Sequence, residues 1–253
     1  MEHITIPSSE TKLNAVIHQA DKNTNKILII SHGFRGSKDG SGKAVMLAEQ
    51  AAAIGFSVVR YDFTPCQTLS SQVEELTSVI HYCRQHSSAE IVLLGRSMGG
   101  SASLLCAAAD DAIKGIALWA TPCNLSETFR LALGKDYELL ENGEQLLLDD
   151  NYGRLELKPE FIYDFAKYDL MNSMQIISNR KVPVLIIHGT NDELVPLKQA
   201  KQLFEIACQP KMYVQIDGGD HQFNQHGAVA SSAVINWLKN TFRIENRSDD
   251  DTT

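Results

Sequence analysis

Long apolar runs are missing from this chain. None approaches the roughly 20 residues that a membrane-spanning helix needs. The opening residues, MEHITIPSSE, lack the basic start and apolar core of a secretion signal. A cytoplasmic protein with no membrane partner is the expectation. Positive charge is also scarce. Lys and Arg number 23 against 31 Asp and Glu, a formal net charge of -8, which argues against nucleic acid as the main partner. Part of that charge is a solvated tail over 244–253, where Glu245, Asp249, Asp250 and Asp251 against Arg247 leave -3. Cysteine is sparse and odd in number: Cys66, Cys83, Cys106, Cys123 and Cys208 show no CxxC spacing, which suggests a reducing compartment and no structural zinc site. No HExxH or comparable histidine spacing occurs, so no metal ligands and no cofactor are expected. Nor does any low-complexity linker divide the 253 residues, so one domain is expected over 1–253.

What is present is an alternation. Period-two stretches at Ile4 to Ile6 and Leu13 to His18 predict antiparallel strands. Short, mostly apolar runs follow at Ile27 to Ser31, Phe56 to Asp62, Ile91 to Leu94, Gly115 to Trp119, Val184 to His188 and Met212 to Asp217, as in strands buried on both faces. Helical stretches separate them: Gly42 to Ile54, Leu69 to His86, Met98 to Ala109, Pro196 to Ala207 and Ala228 to Phe242. The predicted fold class is α/β, with a mostly parallel sheet, an antiparallel N-terminal edge and helices on both faces. Residues 122–181 break the rhythm and predict an inserted cap, since connections of that length are usually functional. Inside it LLLDDNYGRLELK predicts a short hairpin and PEFIYDFAKYDL an aromatic helix beginning at Pro159.

GRSMGG, Gly95 to Gly100, places Ser97 where a buried strand ends and a small-residue helix begins. Taken alone, G-x-S-x-G leaves two readings open: a sharp turn that exposes a nucleophilic hydroxyl, or a serine that caps the helix. A serine nucleophile needs a histidine base and a carboxylate to orient it. Asp192 follows one later strand, in HGTNDELVP, and His221 follows the next, in DGGDHQF. Ser, Asp and His in that order, each after a successive strand, is the chain order of the α/β-hydrolase fold. Each partner has a plainer alternative, Asp192 as a turn former and His221 as a surface loop residue. Asp217 and Asp220 lie too close to His221 in sequence to orient it on this topology. The oxyanion requires two backbone donors, and Met98, after the nucleophile, and Phe34, in SHGF after the third strand, are the candidates. His32, with no carboxylate placed beside it, reads as structural.

With GRSMGG, SHGF, HGTNDELVP and GGDHQF in that order, the chain resembles the α/β-hydrolase superfamily from about Lys26 to Leu238. Within it the HGF turn, the compact cap and the HGTNDE…VP and GxDHxF loops are similar to the bacterial cinnamoyl/feruloyl esterase-like group, close to the serine aminopeptidase-like hydrolases. The resemblance implies Ser97 as nucleophile, Asp192 and His221 as its relay, Phe34 and Met98 as oxyanion donors, and a small-molecule ester substrate. One departure is Thr64-Pro65-Cys66-Gln67-Thr68, where many relatives carry a glycine-rich GHG-type turn. Two alternatives remain: an amide or peptide hydrolase, for which Glu160, Asp164 or Asp169 would anchor a substrate amine, and a non-catalytic binding protein on the same fold. The cap aromatics Phe129, Tyr137, Tyr152, Phe161, Tyr163, Phe165 and Tyr168 either receive an apolar substrate group or pack the cap. Cys123, just after a strand end, either faces that pocket or fills a small buried gap.

Overall fold

Runs such as Ile27 to Ile30 put apolar side chains on both faces of a strand, and only a strand inside a covered sheet can bury both. The computed structural model describes residues 1–9, 11–21, 25–65, 68–150 and 153–242. The tail expected over 244–253, together with Cys66, Gln67 and Tyr152, lies outside them. Ten strands are described: β1 (Glu2–Pro7), β2 (Lys12–His18), β3 (Lys26–Ser31), β4 (Ser57–Tyr61), β5 (Glu90–Arg96), β6 (Ile113–Trp119), β7 (Leu146–Asp150), β8 (Gly153–Leu157), β9 (Val184–Gly189) and β10 (Lys211–Ile216). Eight form one sheet in the order β1-β2-β4-β3-β5-β6-β9-β10, antiparallel from β1 to β4 and parallel beyond. The N-terminal edge and the parallel body match the alternation read from sequence.

The helices are α1 (Lys43–Ala53), α2 (Leu69–His86), α3 (Met98–Ala109), α4 (Leu125–Leu133), α5 (Tyr137–Glu141), α6 (Glu160–Tyr163), α7 (Leu170–Asn179), α8 (Leu197–Ile206) and α9 (Gly227–Thr241). Alternate strand residues serve opposite faces. Ile27, Ile29, Leu93 and Ile186 pack with α2, α3, α7 and α8, whereas Leu28, Val92 and Leu185 pack with α1 and α9. Covering both faces leaves the carboxyl ends of the strands as the open rim, where ligands bind in such sheets. Among the described residues no helix is long and apolar enough to cross a membrane.

Residues 122–181 hold α4 to α7 and the β7–β8 hairpin. The hairpin forms where expected, but the aromatic helix is shorter than its sequence suggests. α6 gives way to a 3-10 turn at Asp164–Lys167, because Asp169 adopts an extended backbone and caps the next helix, accepting from Asn172 N at 2.9 Å. That next helix, α7, packs on α3 and α8.

Candidate active site

Ser97 occupies the turn between β5 and α3 with φ 52° and ψ −128°, a conformation costly for any residue with a side chain. The turn is held by close backbone approach. A Cβ on Gly99 would stand 2.2 Å from the His32 carbonyl oxygen, and one on Gly95 would stand 2.4 Å from Gly100 Cα. Only glycine allows the helix to sit so tightly against the strands. The Ser97 side chain makes no cap bond to α3. Its Oγ lies 3.2 Å from His221 Nε2, so the capping alternative does not describe its position.

His221 is buried rather than a surface loop residue, with 4% of its surface exposed. Its Nδ1 faces both carboxylate oxygens of Asp192, at 3.0 Å and 2.9 Å, and its backbone N–H donates to Glu193 Oε2 at 3.2 Å. Asp192 also forms its turn, as the plainer reading expected, with Oδ1 accepting from Leu194 N at 3.0 Å and Val195 N at 2.8 Å. Burial alone would raise the Asp192 carboxyl. The His221 hydrogen bond and charge, the Val195 amide and nearby His188 outweigh it and hold the group below the ordinary carboxylate range. Asp217 and Asp220 are engaged elsewhere, with Thr190 and Asn224.

His188 was not singled out from sequence, though it opens HGTNDELVP. It is fully buried at the end of β9, its Nε2 is 2.8 Å from the Val195 carbonyl and 3.4 Å from Asp192 Oδ2, and burial pushes its titration down. Neutral, it donates Nε2–H to that carbonyl and braces the loop carrying Asp192.

Of the two oxyanion candidates, Met98 opens α3, where a first-turn N–H has no acceptor within the helix. The Phe34 N–H donates to no backbone group among the described residues. His32 is structural, as read: Nε2 accepts from Phe63 N at 2.9 Å and Nδ1–H donates to the Gly33 carbonyl at 2.8 Å. Burial lowers its titration and favours this neutral form. It pins the turn before Phe34 to the end of β4.

Ser97 and His221 open into a cavity of about 570 Å³, within the range of small-molecule sites. From residues 122–181 it is lined by Thr128, Phe129, Ala132 and Leu133 of α4 and Leu148 and Asp150 of β7. Phe34 and Phe129 line it edge to face; Phe161 packs tilted on Phe34 and edge-on to Phe129, and Phe165 stacks on Phe129. Among the described residues, Tyr137, Tyr163 and Tyr168 do not line it: Tyr137 is buried, Tyr163 is half-exposed, and Tyr168 bonds Ser70. Cys123 belongs to a separate cavity of about 260 Å³, its thiol pushed up to about 11 by burial. Contacts that sequence spacing did not show include Arg96, which bonds the His221 carbonyl at 2.7 Å and Gln222 Oε1 at 2.9 Å, and Arg35, which bonds Asp150 at 2.7 Å and the Gly153 carbonyl at 2.5 Å. These four segments are distant in sequence, and only the fold brings them to one rim.

The sheet order, the nucleophile-type turn and the Ser-Asp-His order define an α/β-hydrolase fold. More narrowly, the chain belongs to the BD-FAE family, whose model matches residues 13–206. Uncharacterized protein YfhR of Salmonella typhi is 26% identical over 186 residues, covering 70% of this chain and 56% of that one. The chain thus spans little more than half of that relative's length. Palmitoyl-protein thioesterase ABHD10, mitochondrial, of Rattus norvegicus is 24% identical over 227 residues, 85% of this chain and 75% of that one. Among solved structures, the ferulic acid complex of Est1E from Butyrivibrio proteoclasticus superposes with a TM-score of 0.81 at 24% identity, over 95% of this chain and 99% of that one.

Proposed function

We propose that this protein is a cytoplasmic serine hydrolase that cleaves carboxylic esters, of short-chain or hydroxycinnamoyl type, through an acyl-enzyme on Ser97. The observation that carries the reading is the chain of hydrogen bonds from Ser97 Oγ through His221 to an ionised, buried Asp192. In this mechanism His221 Nε2 takes the Ser97 proton as Oγ attacks the ester carbonyl, while Asp192 orients the imidazole and stabilises the imidazolium. The Phe34 and Met98 amides receive the oxyanion. His221 then protonates the departing alcohol, and water, activated by the same histidine, releases the acid. No step calls on a metal or cofactor. Membership of the BD-FAE family and the likeness to Est1E, whose complex contains ferulic acid, support an aromatic acyl group.

The amide alternative required a carboxylate for a substrate amine. Asp164 instead bonds Ser70 and Lys167, Asp169 caps α7, and Glu160 is exposed. The one carboxylate lining the cavity among the described residues, Asp150, pairs with Arg35. No observation favours the amide reading, and none favours a non-catalytic one. Initial rates on p-nitrophenyl acyl esters, methyl hydroxycinnamates and aminoacyl p-nitroanilides test the choice, with wild type beside Ser97→Ala. Ester turnover is expected to fall by about 10⁴-fold or more in the variant. Turnover of anilides alone would replace the ester reading with the amide one, and no Ser97-dependent turnover of either would leave a binding role.

A further inference from the structure

The chain as a whole is acidic, at -8, yet its cavity wall is cationic. Arg35, Lys38, Lys43 and Arg96 line it against the single carboxylate of Asp150 among the described residues. Arg35 is matched by Asp150 and Lys38 by Asp62, each at 2.7 Å. Lys43 is not. Its ammonium bonds the Gln222 carbonyl oxygen at 2.7 Å, a neutral acceptor, and has no carboxylate oxygen in ion-pair range among the described residues. Arg96 reaches the same residue, bonding Gln222 Oε1 and the neighbouring His221 carbonyl. The carboxylate whose charge reaches Lys43, Asp220, is bonded to the backbone and side-chain nitrogens of Asn224.

Two like charges meeting on one residue, beside a partly buried cavity, repel each other and lose hydration. Burial and the Arg96 charge accordingly push the Lys43 ammonium down from its ordinary value. An anion in the cavity relieves both penalties, since charge-assisted bonds to a lysine and an arginine are among the strong ones. The position of the pair says which half of a substrate carries that anion. Gln222 directly follows His221, the group that must reach the leaving oxygen to protonate it, so the leaving group lies along this loop.

Building on the ester-hydrolase reading, we infer that the Lys43–Arg96 wall is a subsite for an anionic leaving group. The substrate class is an ester whose alcohol or phenol half carries a carboxylate-type anion.

The test compares kcat/KM for 4-butyryloxybenzoate with that for the neutral 4-butyryloxybenzamide, in wild type, Lys43→Met and Lys43→Arg. Because the ratio is taken within each protein, a general loss of activity cancels. The wild type is expected to prefer the anionic ester by about tenfold or more, the scale of one charge-assisted hydrogen bond. Lys43→Met brings the ratio close to one, Lys43→Arg retains most of it, and added salt erodes it. An acyl-side pair, monomethyl adipate and methyl hexanoate, checks which half is read. Equal ratios in wild type and Lys43→Met, or a preference confined to monomethyl adipate, overturns the inference. Ser97-dependent turnover of both phenyl esters without discrimination removes the subsite and leaves the esterase standing. No Ser97-dependent turnover of any ester removes both.

Discussion

Asp192 carries the sharpest residue-scale consequence, because its side chain is buried and still charged. A carboxyl whose folded-state titration lies below its unfolded value adds stability above the unfolded value, and that contribution is lost as pH falls through the folded one. Asp192→Asn is therefore expected to be less stable than wild type at neutral pH, with the gap closing as pH drops below about 4. Urea midpoints across a pH series measure this, and a gap independent of pH would contradict it. The same substitution puts a neutral amide where the charged carboxylate faces His221 Nδ1 and is expected to lower kcat. Ser97, Asp192 and His221 were all legible in the sequence, since each stands in a short motif after an apolar run. Their companions were not. His188, Arg96 and Lys43 belong to the site through contacts with Val195, with Gln222 and with the Gln222 carbonyl, and nothing in an isolated side chain announces such a partner.

At the scale of elements, the β5–α3 turn and the β7–β8 hairpin position the chemistry. Gly99→Ala sets a methyl group against the backbone of His32, where neither strand nor helix has a flexible end to give. It is expected to destabilise the fold by about 3 kcal/mol, read as a lowered urea midpoint, and a neutral substitution would mean that the turn is looser than described. The hairpin is tied to the turn that carries Phe34 by Arg35, itself at φ 55°. Arg35→Ala is expected to raise KM for esters about fivefold, the loss of roughly 1 kcal/mol for a partly exposed ion pair, and to change kcat less. A fall in kcat with KM unchanged would instead place Arg35 with the oxyanion turn alone. Sequence periodicity served the long elements well, and α2 spans Leu69–His86 as expected. It served residues 122–181 poorly: α4, α5 and α7 are short, and the aromatic run from Pro159 stops at Asp169 because a capping side chain there starts a new helix.

The whole molecule explains why order along the chain was more informative than spacing. A parallel sheet delivers the carboxyl ends of β3, β5, β9 and β10 to one rim, so loops far apart in sequence converge there without any motif spanning them. His221 and Ser97 meet across 124 residues, and Lys43 reaches Gln222 across 179. The first pair was readable because serine nucleophiles require a histidine. The second was not, because a lysine on a helix surface is ordinarily only solvated. The most direct test of the account is mass spectrometry of the intact protein after a serine-directed fluorophosphonate, with the adduct located by peptide mapping in wild type, Ser97→Ala and His221→Ala. One adduct on Ser97 is expected in the wild type, none in Ser97→Ala, and far slower labelling in His221→Ala. An unlabelled wild type, or a Ser97 adduct forming as fast without His221, would contradict it.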